Sequence, residues 1–235
     1  MDGILLIDKP AGWTSHDVVA KMRAIIRSQT GQKVKVGHTG TLDPFATGLL
    51  ILVVGPYTKR AAEFSKLDKT YEAELTLGKI STTGDTEGRI SPKSTKKPTK
   101  EAVEAVLTSF LGEIMQTPHT YSAVKVSGQR AYKMARQGKE VKLEPRQVMI
   151  YELRIMNYEY PKLQIKTRVS SGTYIRSLAE DVGDKLGTGA YLSALRRTKV
   201  GQYDVNNALS INNLSLKNLQ QHLQNRGKTA SIWPE

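Results

Sequence analysis

The sequence predicts an α+β fold, with a mixed, largely antiparallel central sheet flanked by helices and loops. Apolar runs of strand length are interspersed with amphipathic stretches of helical period, without the regular strand–helix–strand repeat of a parallel α/β protein. Two strand-like runs, over 148–160 and 163–169, are separated by a proline and indicate a hairpin. At 235 residues the chain is long enough to bury a sizeable core.

The first elements are predicted from apolar spacing. Residues 3–7 form a short apolar run, which predicts a strand. Ser15 is expected to cap a helix that ends at about residue 28, since Asp17 in the first turn favours the helix dipole and apolar residues recur at helical spacing. The continuous apolar run 49–54, between two glycines, predicts a strand buried on both faces. A short helix is expected over 57–67.

The middle of the chain begins with strict alternation of apolar and polar residues over 69–78, which predicts a half-buried strand. The polar stretch 80–100 is expected to be a long surface loop, and four of its lysines lie near its end. Thr99 is then expected to cap a helix with an apolar stripe. Residues 117–128 indicate a strand entering a turn.

The last part of the chain contains a basic helix, predicted over 130–138. After the hairpin, Thr173 is expected to cap a helix over 174–186, because apolar residues follow it at helical spacing. A strand with a basic end follows over 192–200. A final amphipathic helix is expected over 214–223.

Composition narrows the possible functions. Lysine and arginine number 35 against 22 aspartate and glutamate, and the formal net charge of +13 favours a polyanionic partner. Solubility alone is the alternative explanation of this charge. The absence of cysteine excludes disulfides, cysteine-based zinc sites and a thiol nucleophile. The four histidines lack metal-ligand spacing, so no metal site is expected.

No apolar run is long enough to span a bilayer, and the N-terminus has no basic signal region. The cytoplasm is therefore the expected location. The sequence also lacks the phosphate-binding loop, the dinucleotide fingerprint, the zinc-protease helix and the nucleophile elbow. No cofactor is expected.

One loop is a candidate for chemistry. Residues 37–48 contain three glycines and a single acid, Asp43, directly before Pro44. Since proline disfavours the helical region for the preceding residue, Asp43 is expected on an extended loop attached to a buried strand. Such a loop can hold one reactive carboxylate. The alternative is an ordinary turn in which Asp43 caps a neighbouring element.

Three further features are candidates on their own residues. Tyr71 begins a strand, where its hydroxyl can reach a cleft, although an isolated tyrosine is more often a core residue. Arg176 lies in the first turn of a helix, where a cation is unfavourable, so an anionic partner is expected. The basic helix places charges at intervals of three residues, near one face, which suits a nucleic-acid backbone.

Six segments together resemble, in family order, the signatures of the TruB-type tRNA pseudouridine synthases. They are 7–15 (IDKPAGWTS), 37–44 (GHTGTLDP), 69–73 (KTYEA), 121–125 (YSAVK), 171–179 (SGTYIRSLA) and 195–201 (LRRTKVG). The resemblance implies a pseudouridine-synthase-like fold. It also implies conversion of uridine to pseudouridine at position 55 in the T loop of tRNA, by detaching the base, turning it and rejoining it through C5. No cofactor, metal, guide RNA or obligatory protein partner is implied.

The resemblance also implies roles for residues. Asp43 is the catalytic carboxylate, acting as the nucleophile or assisting the ribose, and Arg176 favours its ionised form. Tyr71 stacks on the uracil and relays the proton lost from C5. The target base is flipped out to react, and His38 fills the vacated space. The remaining residues expected to bind the T arm are Lys9, Thr41, Leu42, Lys125, Arg130, Lys133, Arg136, Tyr174, Leu195, Arg196 and Arg197.

The domain organisation departs from many bacterial members, which continue into an RNA-binding domain of PUA type. The resemblance extends to about residue 210, and only about 25 residues follow that point, too few for a domain of ordinary size. We expect a catalytic domain over 1–212, with a basic insertion at about 117–146, and a short helix and tail over 213–235. Two alternatives remain open: an RNA-binding or tRNA-folding chaperone with secondary catalysis, and a guide-RNA-dependent synthase.

Overall fold

The computed structural model describes residues 2–122, 124–126 and 128–227. The α-helices of this part of the chain are α1 (Ser15–Thr30), α2 (Ala61–Ser65), α3 (Lys100–Thr108), α4 (Ala131–Arg136), α5 (Ile175–Leu186) and α6 (Leu216–Gly227). Its strands are β1 (Gly3–Lys9), β2 (Val36–His38), β3 (Thr47–Val54), β4 (Lys69–Leu77), β5 (Lys79–Ser81), β6 (Ile90–Pro92), β7 (Gly112–Gln116), β8 (Lys125–Val126), β9 (Gln129–Arg130), β10 (Arg146–Glu159), β11 (Lys162–Val169), β12 (Ala190–Val200), β13 (Tyr203–Asp204) and β14 (Leu209–Ser210). Among the described residues, no helix is long and apolar enough to cross a membrane.

The chain divides into two compact units. The first comprises Met1–Lys69 and Arg196–Glu235, and the second comprises Thr70–Leu195. Strand β12 contributes residues to both units. The predicted mixed, largely antiparallel sheet is confirmed, since most strand pairs are antiparallel. Two pairs are parallel: β14 with β1, and β12 with β3.

The first unit is built around β3. The strand order is β14-β1-β3-β12, with β2 paired to β3, and β1 is antiparallel to β3 along its whole length. The prediction that the apolar run 49–54 is buried on both faces is confirmed. On one face, the β3 side chains that pack with α1 and α6 are Leu50, Leu52 and Val54. On the other face, those that pack with Phe64 and Val200 are Leu49, Ile51 and Val53.

The second unit has the strand order β12-β4-β11-β10-β7, and α3 packs against α5 and β10. The predicted hairpin is confirmed as β10 and β11. The predicted half-buried strand β4 has a buried apolar face and a polar face that is open only at its centre. On the polar face Glu72 and Glu74 are partly exposed, whereas Thr70 and Thr76, near its two ends, are 7% and 4% exposed.

Three predictions about local structure are corrected. The cap of α1 is Thr14 rather than Ser15, because the Thr14 hydroxyl accepts from the Asp17 amide while the Asp17 carboxylate accepts from the Thr14 amide. Thr173 does not cap α5, since its hydroxyl donates to the carbonyl of Ser170. The polar stretch 80–100 is not a plain loop, because β5 and β6 pair there as a small antiparallel sheet.

The regular elements of two further stretches are shorter than expected. The helix expected over 57–67 is a 3₁₀ turn, Gly55–Arg60, followed by α2. In the expected strand 117–128, residues 117–122 and 124 are irregular, and the short strand β8 covers only Lys125–Val126.

Asp181 provides a test of burial on α5. Partial burial, and then the neighbouring carboxylates of Glu180 and Asp184, raise the pKa of Asp181 to about 6. A folded-state pKa above the unfolded value means that the folded state binds this proton more tightly. The charged form therefore costs stability as pH rises from about 4 to 6, and the cost is complete above that window.

We expect Asp181→Asn to raise the free energy of unfolding by about 1 kcal/mol at pH 7.5, allowing for solvent screening of a half-exposed group. The gain at pH 4.5 is expected to be less than half as large, since Asp181 is then largely protonated in the folded state. Urea unfolding at the two pH values measures both effects. Glu144→Gln, at an exposed acid of the same unit, is the control and should change stability little at either pH. An equal gain at both pH values in Asp181→Asn would contradict the prediction.

Candidate active site

The loop of Asp43, in the first unit, is held on its N-terminal side by Ser15. This serine is the first residue of α1 and is 2% exposed. Its Oγ accepts from the Leu42 amide at 2.9 Å and donates to the Leu42 carbonyl at 3.2 Å. Both polar groups of the residue before Asp43 are therefore bound by one side chain, which sets the direction in which Asp43 leaves the backbone.

The C-terminal side of Asp43 is held at the Pro44 carbonyl. That oxygen accepts from the Gly12 amide at 2.8 Å and from Lys9 Nζ at 3.2 Å. Lys9 ends β1 and is fully buried, and its ammonium also donates to the carbonyls of Trp13 at 2.6 Å and Pro10 at 3.0 Å. Lys9 was expected among the substrate-binding residues. Its described contacts give it a role in holding the loop.

Arg197 holds the same loop from β12. It is 2% exposed, and its guanidinium donates to the carbonyls of Leu49 at 2.8 Å and Gly40 at 3.1 Å. Strand β12 approaches so closely that a Cβ on Gly48 would lie 2.3 Å from the Arg197 carbonyl oxygen, and the Gly48 φ of +102° also favours glycine. The expectation that Arg197 binds phosphate is therefore corrected: its guanidinium is buried against backbone.

Two neighbouring cations of β12 have acidic partners. Arg196 donates to both carboxylate oxygens of Asp8, at 3.1 and 2.8 Å, and Lys199 lies 3.4 Å from Asp204. Arg196 was expected to bind phosphate. Its half-exposed pair with Asp8 joins β12 to β1, so phosphate binding by Arg196 competes with this contact.

The other expected residues of this unit lie on or beside the loop. His38 ends β2 opposite Leu52 and is partly buried. Thr41 is exposed, Leu42 is buried and Asp43 is partly exposed. Asp43 is thus a partly exposed residue of a segment whose backbone is held by hydrogen bonds on both sides.

The hydrogen bonds of Ser15 can be tested by removing them. We expect Ser15→Ala to lower the turnover of tRNA by about tenfold or more, because the Leu42 backbone loses both bonds and Asp43 is held less precisely. Stability should fall by about 1–3 kcal/mol. Ser28→Ala is the matched control, because Ser28 is an exposed serine of the same helix. Equal turnover in the two variants would contradict a positioning role.

Arg176, in the second unit, lies in the first turn of α5 with 6% of its side chain exposed. Its Nη1 donates to the Thr83 carbonyl at 3.1 Å and lies 3.2 Å from Oδ2 of Asp85. Its Nη2 donates to the Tyr121 carbonyl at 2.9 Å. An anionic partner for this first-turn cation was expected, and Asp85 is one. The pairing of Arg176 with Asp43 stays a prediction.

Asp85 is the main residue that sequence reasoning missed. It is 2% exposed, and its Oδ1 accepts from the Thr83 hydroxyl and from the Glu87 amide at 3.0 Å. The carboxylate is thereby aimed at Arg176. A signal was present in the sequence, since the segment 82–88 (TTGDTEG) has one aspartate among glycines and threonines, as the Asp43 loop does.

The start of α5 is fixed by a second missed residue, Gln116. Its side-chain amide accepts from the Tyr174 amide at 2.8 Å and donates to the Tyr174 carbonyl at 3.1 Å. One turn into the helix, Ser177 Oγ donates to the Thr117 carbonyl at 3.0 Å. The chain after β7 is thus bound along the first turn of α5, beside Arg176.

The remaining predicted residues of this unit are placed as follows. Tyr71, on β4, and Leu195, on β12, are each 8% exposed, and Tyr174 is partly exposed. Arg130 and Lys133, before and within α4, are exposed. The side chains of two residues expected to contact RNA, Lys125 and Arg136, lie outside the described part of the chain.

Comparison with known proteins decides the family. Residues 27–175 match the model of the TruB family pseudouridylate synthases, N-terminal domain. The chain belongs to the TruB family. Residues 176–229 match the C-terminal domain of tRNA pseudouridylate synthase B. The resemblance carried by the six segments is confirmed, and the TruB chain is an isomerase that converts uridine to pseudouridine in tRNA.

Relatives of this TruB chain are named tRNA pseudouridine synthase B. The protein from Opitutus terrae is 41% identical over 212 residues, covering 90% of this chain and 86% of the relative. The protein from Dechloromonas aromatica is 44% identical over 211 residues, covering 90% of this chain and 69% of the relative.

Solved structures support the pseudouridine-synthase-like fold. A chain of a Cbf5-Nop10-Gar1 complex superposes with a TM-score of 0.70 at 29% identity, covering 90% of this chain and 53% of that chain. A chain of an H/ACA RNP bound to a substrate RNA containing 2′-deoxyuridine superposes with a TM-score of 0.67 at 25% identity, covering 96% of this chain and 55% of that chain. The TruB chain thus spans about half the length of these neighbours.

Proposed function

We propose that this synthase isomerises uridine 55 in the T loop of tRNA, with Asp43 as its nucleophile. The observation that carries the assignment of Asp43 is the pair of clamps on its neighbours. Ser15 binds both polar groups of Leu42, and the Pro44 carbonyl accepts two hydrogen bonds. A carboxylate on so constrained a segment has its position set before substrate binds, which is how a protein lowers the entropic cost of attack.

The chemistry that we propose uses only groups of the chain and the RNA. The Asp43 carboxylate attacks C1′ as the bond from C1′ to N1 of uracil breaks, and the detached base turns within the site. C5 then bonds to C1′ as the carboxylate leaves, the hydrogen on C5 is lost as a proton, and N1 gains a proton. We assign the relay of the C5 proton to Tyr71 and the support of the ionised Asp43 to Arg176.

The base has to leave its stack to reach Asp43, which costs a few kcal/mol. We assign His38, on the strand leading into the Asp43 loop, to the space that the base vacates. The exposed side chains of Arg130 and Lys133 are assigned to the phosphates of the T arm, which they position without reading its sequence. Binding of the T arm in this way calls for no guide RNA and no protein partner.

A T-arm hairpin with tritium at C5 of its uridines tests the proposal, because forming the bond from C5 to C1′ releases the label. We expect release from the hairpin alone, without added RNA or protein, and none when position 55 is cytidine. Unchanged release from the cytidine hairpin would contradict the choice of position. A requirement for an added guide RNA would contradict the proposed independence.

A further inference from the structure

His119 is a buried histidine to which the proposed reaction gives no role. It lies in the irregular segment after β7, and 8% of its side chain is exposed. Its Nδ1 accepts a hydrogen bond from the Tyr121 amide at 3.1 Å, and its Nε2 lies 3.4 Å from Oε1 of Glu180. A nitrogen that accepts carries no proton, so this arrangement belongs to the neutral tautomer with the hydrogen on Nε2, facing Glu180.

These contacts close a ring around Arg176. Tyr121 makes two of these contacts through its backbone. Its amide donates to His119, and its carbonyl accepts a hydrogen bond from Arg176 Nη2 at 2.9 Å. Glu180, the other neighbour of His119, lies one helical turn after Arg176 on α5. His119 therefore ties the backbone that holds Arg176 to the helix that carries Arg176.

A third segment packs on the same pair. Gly84 lies between the two residues of its loop that contact Arg176, and its φ is +70°. A Cβ on Gly84 would lie 2.9 Å from Glu180 Oε1 and 3.0 Å from His119 Nε2. The imidazole of His119 thus lies where the three segments that hold the guanidinium of Arg176 meet.

We propose that His119 is a positioning residue for the isomerisation. By accepting the Tyr121 amide through Nδ1, it holds the Tyr121 carbonyl where Arg176 Nη2 needs it, and so fixes the direction of the guanidinium. Glu180 orients the ring from the other side. The inference rests on the proposed role of Arg176 in catalysis, and it adds a residue that acts only through another.

Two substitutions separate the two ring nitrogens. The amide of asparagine can place an acceptor near the position of Nδ1, whereas that of glutamine can place a donor near Nε2. We expect His119→Asn to keep the single-turnover rate within about threefold of wild type, since the Tyr121 bond is retained. His119→Gln loses that bond and is expected to be about tenfold slower, with unchanged affinity for the T-arm hairpin.

The pattern of the two variants decides the inference, because a residue needed only for packing would not favour asparagine over glutamine. A glutamine variant as fast as wild type, or an asparagine variant as slow as the glutamine variant, overturns it. Arg176→Lys, measured in parallel, separates the proposed role of Arg176 in catalysis from the proposed role of His119 in positioning Arg176. Normal turnover in Arg176→Lys removes the proposed role of Arg176, whereas a slow Arg176→Lys beside a normal His119→Gln removes His119 alone.

The tautomer of His119 in the wild-type protein supplies a second test. Long-range ¹H–¹⁵N NMR correlations distinguish the two neutral tautomers of histidine and the charged form. The imidazole whose signals are absent from His119→Asn is His119, and we expect it to be in the Nε2–H form at pH 7.5. A charged His119, or one with its proton on Nδ1, overturns the inference.

Discussion

Replacement of Asp43 by asparagine is expected to slow pseudouridine formation by at least about 1000-fold in single turnover. Asparagine has nearly the same size, and the clamps at Leu42 and Pro44 bind backbone, so the loop should keep its conformation. The amide is a far weaker nucleophile than the carboxylate, and the loss should therefore lie in the chemical step. The measurement is tritium release from the T-arm hairpin with enzyme in excess.

The affinity of Asp43→Asn for the same hairpin should stay within about threefold of wild type, because phosphate contacts are expected to supply most of the binding and Asp43 is not assigned to them. Asp184→Asn, at an exposed acid, is the control and should react normally. Turnover near wild type in Asp43→Asn would remove Asp43 from the mechanism. The same variant also tests the alternative function, that of a tRNA-folding chaperone. Refolding of misfolded tRNA by Asp43→Asn would indicate chaperone activity that is independent of the modification.

Replacement of Arg176 by lysine is expected to lower the single-turnover rate by about 100-fold. The guanidinium contacts Thr83, Asp85 and Tyr121, at 3.1, 3.2 and 2.9 Å. A lysine ammonium keeps the charge beside Asp85 but has no fork with which to hold the two carbonyls as well. The loss should fall on turnover, and the affinity for the hairpin should change little.

The lysine variant is chosen because Arg176→Ala would leave the Asp85 carboxylate buried without this cation, at a cost of about 3–5 kcal/mol in stability. Arg168→Lys is the matched control, because Arg168 is exposed in the same unit and stacks on Tyr151. A variant Arg176→Lys that turns over normally but binds RNA weakly would show that Arg176 serves binding rather than chemistry.

The elements predicted best are those whose signal is local and strong. The run of six apolar residues in β3 predicts burial on both faces, because every side chain of such a strand needs an apolar neighbour. The hairpin of β10 and β11 follows from two strand-like runs with a proline between them. The loop of Asp43 became a candidate by similar local reasoning, since Pro44 restricts the backbone of Asp43 and the buried strand β3 follows; the catalytic role of Asp43 stays a prediction.

The wrong predictions arise where two neighbouring residues are equally suited, by sequence alone, to the same role. Thr14 and Ser15 are both good helix caps, but the hydroxyl of Ser15 is hydrogen-bonded to the backbone of Leu42, 27 residues away in the chain. Thr14 therefore caps the helix. Arg196 and Arg197 are both cations near the end of a strand, and spacing alone predicts phosphate binding for each. Burial of Arg197 against the carbonyls of Leu49 and Gly40 gives it a different role.

Residue order was thus sufficient to identify the fold class, the family and the loop of Asp43, because hydrophobic period, proline restriction and motif order are local properties of a chain. Packing alone revealed which side chains hold that loop and which hold Arg176. Lys9, Ser15, Asp85 and His119 acquire their roles from partners distant in sequence or on another element. A buried polar group has to find a partner, and which partner it finds depends on how the chain folds back on itself.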